Sequence, residues 1–374
     1  MYADYIFPDL SYLERWEMQG SHPNMPAKVQ PIRQPVIAPI PETVKVFGEE
    51  MPCSYEAVQL ALAEKLGLKG YGKDGFGPEQ DFTKPDDFYI RMVANVATDG
   101  TPVPDADDAE VKLFLDSRRH LPKSVFDPER WEKIAGSNWR KVVYVLNRGG
   151  RFQDYKDMYK GDHAANQWKK SINFYQEKTA GTKNAFTGKS NPGYATYLPI
   201  TTTTGKSPRE AGLEDGYPLH LITQRDILQC KSRTVVDYWL LAIKPENEII
   251  VHTNDARDIG VKDGDLVKVV SATNLEGIWD LKNGTKKPMV GKVKVTETIM
   301  PGVVTFTLGH GHWATGAADV TIDGTVVKGD PRRATGVHAN AAMWVDPHLK
   351  NTCMLDPVGG SVSFYDTKVK LVKV

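Results

Sequence analysis

Apolar and polar residues alternate in short runs through the second half of the chain, and this pattern predicts six β-strands. Period-two alternation between turns rich in Gly, Asp, Asn and Pro is the usual signature of strands. Many short strands in series are typical of a β-barrel or a sandwich. The six runs are 217–223 (YPLHLIT), 247–253 (NEIIVHT), 264–272 (GDLVKVVSA), 291–298 (GKVKVTET), 302–308 (GVVTFTL) and 367–374 (TKVKLVKV).

The first half of the chain carries helical patterns instead. In CSYEAVQLALAEKLGLKG, Ser54 is a good N-cap and Gly67 a good C-terminal stop, so a helix is expected between them. Its spacing predicts a buried stripe of Tyr55, Val58, Leu62 and Leu66. Further helices are expected at 86–97 and 105–116, and the β-branched run of 139–150 (WRKVVYVLNRGG) predicts a strand that ends at Gly-Gly.

Residues 153–216 separate these two patterns. They are polar, rich in Gly, Lys, Asn and Thr, and too long for an ordinary loop inside a compact domain. We therefore expect an α/β portion at 1–152, a loop-rich excursion at 153–216 and a β-barrel at 217–374. Within the barrel, 254–265 (NDARDIGVKDGD) predicts a strand end, one helical turn and a tight Asp-Gly-Asp turn.

Composition excludes several classes of function. Lys plus Arg and Asp plus Glu both number 47, so no overall field attracts nucleic acid or an anionic membrane. No apolar run approaches the length of a membrane span, and the N-terminal residues show no export signal. The three cysteines lie far apart, which leaves no legible iron–sulfur or structural zinc motif.

The segment FTLGHGHWATGA places His310 and His312 two positions apart. On a strand both rings would share one face, as a metal site requires, but a third ligand is needed. His338 and Asp319 are the candidates, and nothing in the sequence supports either. We therefore favour a structural or hydrogen-bonding role for the histidines, with the glycines allowing a backbone to approach a ligand closely.

Two further segments suggest anion or nucleotide contacts. LITQRDILQCKSRT (221–234) combines cations with hydroxyls and amides, as phosphate-binding loops do, although a solvated basic turn is equally consistent with it. Asp255, directly after a strand, has the chemistry to accept hydrogen bonds from the donor edge of guanine or to cap the following helical turn.

Taken in order, these segments resemble the C-terminal third of catalytic subunits of molybdopterin oxidoreductases of the dimethyl sulfoxide reductase family. Among these, the resemblance is greatest to the large subunits of tetrathionate reductases. The segments that carry it are YADYIFPDLSYLERWE, VVYVLNRGGRFQDY, YPLHLITQRDILQCKSRT, IIVHTNDARDIGVKDGDLVKVVSA, VKVTETIMPGVVTFTLGHGHW, GVHAN and LDPVGGSVSFYDTKVKLVKV.

The resemblance implies a cofactor and a fold for the last domain. The fold is a double-psi β-barrel of the aspartate-decarboxylase-like type, and the cofactor is molybdopterin guanine dinucleotide, two copies of which hold one molybdenum in the complete enzyme. It also implies a set of contact residues in four segments. The loop after the first barrel strand, the NDA loop, the GHGHW loop and GVHAN supply Thr223, Gln224, Arg225, Gln229, Ser232, Asn254, Asp255, His312 and Asn340.

The same resemblance implies that the chain is one part of a larger enzyme, inactive alone. The molybdenum ligand and a [4Fe–4S] cluster would belong to an N-terminal remainder of the catalytic subunit. The further partners would be a membrane anchor subunit and an iron–sulfur electron-transfer subunit. The enzyme would lie in the periplasm or on the extracytoplasmic face of the membrane. The leading substrate is tetrathionate. Arsenate, polysulfide and thiosulfate are alternatives within the family.

Two hypotheses of other classes remain at this stage. One is a non-enzymatic double-psi barrel that binds another ligand or protein, and the other is a histidine-dependent metallohydrolase. The cofactor interpretation requires Arg225, Asp255 and Asn340 to lie on one face of the fold. The hydrolase requires a carboxylate beside His310 and His312.

Overall fold

The computed structural model describes residues 4–20, 25–40, 42–167, 170–185, 187–280, 284–313 and 316–374, with the side chain of Ser232 outside the description. The chain forms two compact units, which meet in sequence at Lys170 and Ser171. This boundary falls within the polar excursion, and the division into three segments stays a prediction.

The first unit is built around a bundle of helices. The helices predicted at 86–97 and 105–116 are confirmed with shifted bounds. Its helices are α1 (Tyr55–Leu66), α2 (Pro85–Thr98), α3 (Asp108–Arg118), α4 (Pro128–Ala135) and α5 (Trp139–Asn147).

The strands of the first unit are short. They are β1 (Glu17–Met18), β2 (Val29–Arg33), β3 (Thr43–Val46), β4 (Glu49–Pro52), β5 (Gly72–Gly77), β6 (Gln80–Phe82), β7 (Gly150–Phe152), β8 (Tyr159–Lys160) and β9 (His163–Ala164). Strands β1, β2 and β7 form one antiparallel sheet, and the others pair as hairpins.

The strand predicted over 139–150 is wrong, because most of this segment is helix α5. Val142, Val143, Val145 and Leu146 are all buried on it against the other helices. A β-branched run raises strand propensity, but burial against neighbouring helices decides the outcome here. Only the end of the segment is extended, where β7 begins at Gly150.

Helix α1 has the predicted caps but a different buried face. Ser54 accepts a hydrogen bond from Ala57 N, and Gly67 adopts the left-handed conformation at the C-terminus. The residues that are buried are Ala57, Leu60 and Ala63. Tyr55, Leu62 and Leu66 are exposed, so the predicted apolar stripe is wrong. The two alanines gave too weak a hydrophobic signal to reveal the packed face.

The second unit is dominated by strands. They are β10 (Leu219–Gln224), β11 (Glu248–His252), β12 (Leu266–Ser271), β13 (Ile278–Asp280), β14 (Lys286–Pro288), β15 (Val290–Thr296), β16 (Val303–Thr307), β17 (Val320–Ile322), β18 (Thr325–Val327) and β19 (Lys368–Lys373). Its helices are α6 (Glu177–Ala180), α7 (Tyr238–Ile243) and α8 (Thr253–Ile259).

Six of these strands close into a barrel in the order β10-β16-β11-β15-β12-β19. They are the six strands predicted from the alternation, and helix α8 confirms the predicted helical turn. The pairs β10/β16 and β11/β15 are parallel, and the other neighbours are antiparallel. The barrel is therefore confirmed, while its double-psi connectivity stays a prediction.

The strand directions define two ends of the barrel. Strands β10, β16 and β12 run one way, and β11, β15 and β19 run the opposite way. We call the end at which β10 terminates the upper end. It carries the loops that follow β10, β16 and β12 and those that precede β11, β15 and β19. The lower end carries helix α8, which follows β11.

Within the part of the chain that is described, we find no helix with the length and apolar character needed to span a membrane.

Buried Asp86 should make the stability of the first unit depend on pH. Burial raises the pKa of Asp86 to about 6, although the Trp131 Nε1–H group donates to its carboxylate at 2.6 Å. The acid form therefore favours the folded state. This stabilisation is complete below pH 4 and is lost as pH rises through 6, on the order of 3 kcal/mol in all.

Urea unfolding of Asp86→Asn between pH 4 and 7 should accordingly lack this decline, since Asn keeps a carbonyl acceptor but does not titrate. The control is Asp108→Asn, whose carboxylate is exposed and pairs with Arg140 on the surface. Equal pH dependence in the two variants would contradict the assignment.

Candidate functional site

Three glycines bring the upper-end loops into close backbone contact. Gly309, Gly311 and Gly336 all have positive φ. A Cβ on Gly309 would meet the carbonyl oxygen of Lys231, and one on Gly311 would lie 2.6 Å from His338 N. The sequence-based interpretation had the glycines around His310 and His312 making room for a ligand. In the structure, those at 309 and 311 make room for neighbouring segments of the chain itself.

Asn247 ties these loops together. Its side chain is buried, with 1% of its surface exposed. The amide donates to Thr307 O at 2.8 Å and to Val337 O at 2.9 Å, and its oxygen accepts from Val337 N at 2.8 Å. One side chain thus joins the end of β16 to the segment that leads to His338.

Two imidazoles and an indole pack together beside this junction. The rings of Trp279 and His338 are stacked, with centroids 4.6 Å apart, and the His312 ring lies 4.1 Å from the His338 ring. Lys287 belongs to the same group, and its ammonium donates to the carbonyls of Ala334 and Gly336. The cluster therefore presents aromatic rings next to one partly buried cation.

Burial favours the neutral form of both imidazoles. The pKa of His338 is lowered to about 3, chiefly by burial and in addition by the nearby His312 and Lys287. Burial and the Lys287 ammonium also lower the pKa of His312, while burial lowers that of Lys287 to about 8. Neutral rings keep one acceptor nitrogen each, which suits hydrogen bonding better than ion pairing.

His310 does not join His312 in a ligand pair. Its ring is fully buried, and Nε2 lies 3.4 Å from Lys244 O. Over the ranges that the structure describes, no cluster of three or more His, Cys, Asp or Glu side chains is placed to hold a metal ion. Among the described residues, no carboxylate joins both histidines in such a cluster, as the metallohydrolase hypothesis would need.

The loop after β10 places its predicted residues in two environments. Thr223 is buried at the strand end, whereas Gln224 and Arg225 are exposed at the upper end. Gln229 is buried, and its Oε1 accepts from Thr234 Oγ1 at 2.6 Å. No partner for its Nε2 is found among the described residues. The predicted contact of Ser232 concerns a side chain outside the described residues.

The requirement that three distant polar groups share one face is met only in part. Asn340 lies in a 3-10 turn beside the upper end. Asn274, in the turn that follows β12, donates from Nδ2 to the carbonyl of the neighbouring Ala341 at 2.7 Å. Arg225 also lies at that end. Asn254 and Asp255, however, begin helix α8 at the lower end.

Asp255 also has a partner within the fold, since one of its carboxylate oxygens accepts from Gly302 N at 2.7 Å. It is not the cap of α8, because His252 Nδ1 accepts from Asn254 N instead. The expectation that Arg225, Asp255 and Asn340 share one face is therefore wrong for Asp255, and only the positions of Arg225 and Asn340 support the cofactor interpretation. Strand direction within the barrel, which local sequence does not encode, is the reason.

Sequence reasoning missed three residues that shape this end: Asn247, Trp279 and Lys287. Asn247 stood at the edge of a predicted strand and looked like a turn residue. Trp279 and Lys287 lie on the β13/β14 hairpin, which the sequence did not predict. The sequence signal that could have indicated this hairpin was the single Trp in a short polar segment, since Trp residues are usually largely buried. In the structure, Trp279 pairs with Lys287 across the hairpin.

Comparison with known proteins identifies the barrel. Residues 219–353 match the family described as Molydopterin dinucleotide binding domain. The matched range begins at the first residue of β10 and contains Arg225, Asn247, the His310–His312 loop and Asn340, while the end of the loop that precedes β19 lies beyond it. The second unit is thus a molybdopterin dinucleotide-binding domain.

The whole chain has relatives among reductases. It is 43% identical to a selenate reductase subunit of Mesobacillus selenatarsenatis and 27% identical to a tetrathionate reductase subunit of Salmonella typhimurium, in each case over 100% of this chain. It is 23% identical, over 84% of its length, to the arsenate respiratory reductase molybdopterin-containing subunit of Shewanella sp.. The chain belongs to the molybdopterin oxidoreductase family.

These matches cover only part of each relative. The chain spans 36% of the selenate reductase subunit, 35% of the tetrathionate reductase subunit, and 34% of the arsenate reductase subunit. It therefore corresponds to about a third of the length of the curated relatives it matches.

The residues of the upper end fit molybdopterin guanine dinucleotide. Such a ligand offers phosphate oxygens and heterocyclic edges that both donate and accept hydrogen bonds. Buried polar atoms without a partner among the described residues include Gln229 Nε2, His310 Nδ1 and His338 Nδ1. Buried polar groups are nearly always satisfied in the functional state, so these atoms are suited to a polar ligand. Arg225 adds an exposed guanidinium for an oxyanion.

Replacement of Gly311 by Ala should disrupt the cluster. The new Cβ would collide with His338 N and displace the His312 loop, in addition to the strain of a positive φ. The control, Gly264→Ala, has the same strain at φ 85° but no atom within 4 Å of the added carbon. Thermal unfolding and the imidazole NMR resonances should change more in Gly311→Ala, and equal changes would argue against the contact.

Proposed function

We propose that this chain provides the dinucleotide-binding portion of a molybdenum oxidoreductase that reduces selenate. The observation that carries the substrate is the 43% identity, along the entire chain, to the selenate reductase subunit. The tetrathionate expected from the sequence has weaker support, at 27% identity. Selenate is therefore the first candidate and tetrathionate the second.

The cofactor, when bound, supplies the two-electron redox chemistry, and the chain holds and orients it. Arg225 and Gln224 would face its phosphates from the end of β10. Gln229, His312 and Asn340 would contact it from the upper-end loops, with the neutral imidazoles accepting or donating single hydrogen bonds. Lys287 adds positive charge near an anionic ligand, which favours its binding.

The remaining features of the family complete the proposal. The barrel connectivity is double-psi, with two parallel pairs arranged about the shared β11/β16 contact. The partners are the rest of a catalytic subunit with a [4Fe–4S] cluster, a membrane anchor and an iron–sulfur electron-transfer subunit, on the extracytoplasmic face. Their support is family resemblance, and the length of the relatives supports the first of them.

Turnover by the complete enzyme tests the substrate. Reduced methyl viologen should be oxidised with a higher kcat/KM for selenate than for tetrathionate or arsenate, and selenite should accumulate. A preference for tetrathionate, with thiosulfate as product, would favour the second candidate. If none of the three oxyanions is reduced, the proposal fails.

Arg225→Ala should weaken retention of the cofactor. A charge-assisted hydrogen bond to phosphate is worth roughly 1.5–3 kcal/mol, so its loss should raise the dissociation rate about tenfold or more. The measurement is guanine nucleotide and molybdenum per chain after gel filtration of the complete enzyme. Arg257→Ala, on the exposed side of α8 at the lower end, is the control and should retain both. Equal contents in the two variants would contradict the contact.

A further inference from the structure

A cavity of about 290 Å³ with both polar and apolar lining lies in the second unit, apart from the residues discussed so far. Its walls come from residues 183–185, 187, 191 and 201–203 in the loop-rich excursion and from 346, 353–358 and 360 near the C-terminus. Trp344 N donates to Thr367 Oγ1, which directly precedes β19, at 3.0 Å. Val345 N donates to Thr273 Oγ1, which follows β12, also at 3.0 Å. The cavity therefore adjoins the upper end of the barrel.

Partly buried hydrogen bonds hold the walls of this cavity together. Asp346, 1% exposed, accepts from Thr203 N at 2.7 Å and from Thr203 Oγ1 at 3.1 Å. It also accepts from the backbone N–H groups of His348 and Leu349 at 2.9 Å. Asn184 Nδ2 donates to Pro357 O at 3.0 Å. These bonds join the two segments, so the cavity is formed before any ligand enters.

Other groups on the walls keep hydrogen-bonding capacity. One carboxylate oxygen of Asp356 accepts from Gly359 N at 2.5 Å, and the structure shows no described partner for the other. The Thr201 hydroxyl and the Lys183 ammonium likewise make no hydrogen bond or ion pair with described residues, and both line the cavity. Met354 and Leu355 add apolar surface. The wall thus combines an anionic acceptor, two donors and apolar contacts.

This combination matches a flat heterocycle with a mixed hydrogen-bonding edge. A carboxylate is the natural partner of two adjacent N–H donors, and a hydroxyl or ammonium donates to a neighbouring ring carbonyl. The aminopyrimidinone ring has such an edge: a ring N–H beside an amino group on one side and a carbonyl on the other. Guanine and pterin share it. The volume is near the lower end of ligand pockets, roughly 300–1,000 Å³.

We propose that this cavity binds the aminopyrimidinone edge of the dinucleotide cofactor, with Asp356 accepting from the ring N–H groups. Thr201 or Lys183 donates to the ring carbonyl. Asp356 thereby takes the role that the sequence suggested for Asp255, which lies at the opposite end of the barrel. The proposal rests on the proposed function only in that its ligand comes from the same cofactor.

Ligand-observed NMR on the 374-residue chain tests the site with small probes. GMP and IMP differ only in the 2-amino group that Asp356 would recognise, and pterin carries the same edge without ribose or phosphate. Saturation transfer should be seen with GMP or pterin and be at least several-fold weaker with IMP. Asp356→Asn should weaken binding about tenfold or more, because a charge-assisted acceptor is lost. Asn keeps an oxygen for Gly359 N, so the loop is expected to fold.

The matched control is Asp323→Asn, on the exposed turn between β17 and β18, which should bind the probes like the unmodified chain. Binding of GMP alone identifies the guanine end, and binding of pterin alone identifies the pterin end. The proposal is overturned if neither probe binds, if IMP binds as tightly as GMP where GMP is the bound probe, or if Asp356→Asn binds normally. Because the assay involves neither molybdenum nor an oxyanion, its failure is distinct from absence of selenate reduction in the complete enzyme.

Discussion

The architecture of the candidate site depends on one buried amide. Asn247 precedes β11 and holds both the end of β16 and the segment before His338 through three hydrogen bonds. These backbone groups are remote from water, so an unmade bond would cost about 1–3 kcal/mol for each group left unpaired. The loops around Asn247 approach closely only because Gly309, Gly311 and Gly336 lack side chains. The hydrogen bonds of Asn247 and the lack of side chains on the three glycines therefore act together to place the imidazoles.

The electrostatic character of the upper end follows from this packing. Close loops exclude water, and burial shifts the titration of His312, His338 and Lys287 toward their neutral forms. The site then offers uncharged ring nitrogens, with positive charge concentrated at its edge on residues such as Arg225. Such an arrangement suits an anionic dinucleotide, because exposed cations can pair with phosphates while neutral polar groups can hydrogen-bond heterocycles.

Local sequence predicted the barrel well because its evidence is local. Each barrel strand alternates Val, Ile, Leu or Phe with polar residues between turn signals, and all six were located correctly. The helix at 139–147 misled the same reasoning, since its valines are buried against other helices and resemble a strand core. Which residues gather at one end was a different question. The answer depends on the parallel pairing of β10 with β16 and the antiparallel pairing of β16 with β11, contacts between strands far apart in the chain.

The opposite placement of Arg225 and Asp255 shows how such a non-local contact changes a functional interpretation. Both residues follow a barrel strand, and both carry chemistry suited to a nucleotide, so sequence alone treats them as equivalent. Because β10 and β11 run in opposite directions, their C-terminal ends lie at opposite ends of the barrel. A carboxylate that serves a ligand beside Arg225 must then come from a segment that returns to the upper end. The segment 346–360 meets this requirement. Trp344 and Val345, just before it, are hydrogen-bonded to Thr367 and Thr273 at that end. Strand direction, more than residue type, decides which acidic side chain can face the cofactor.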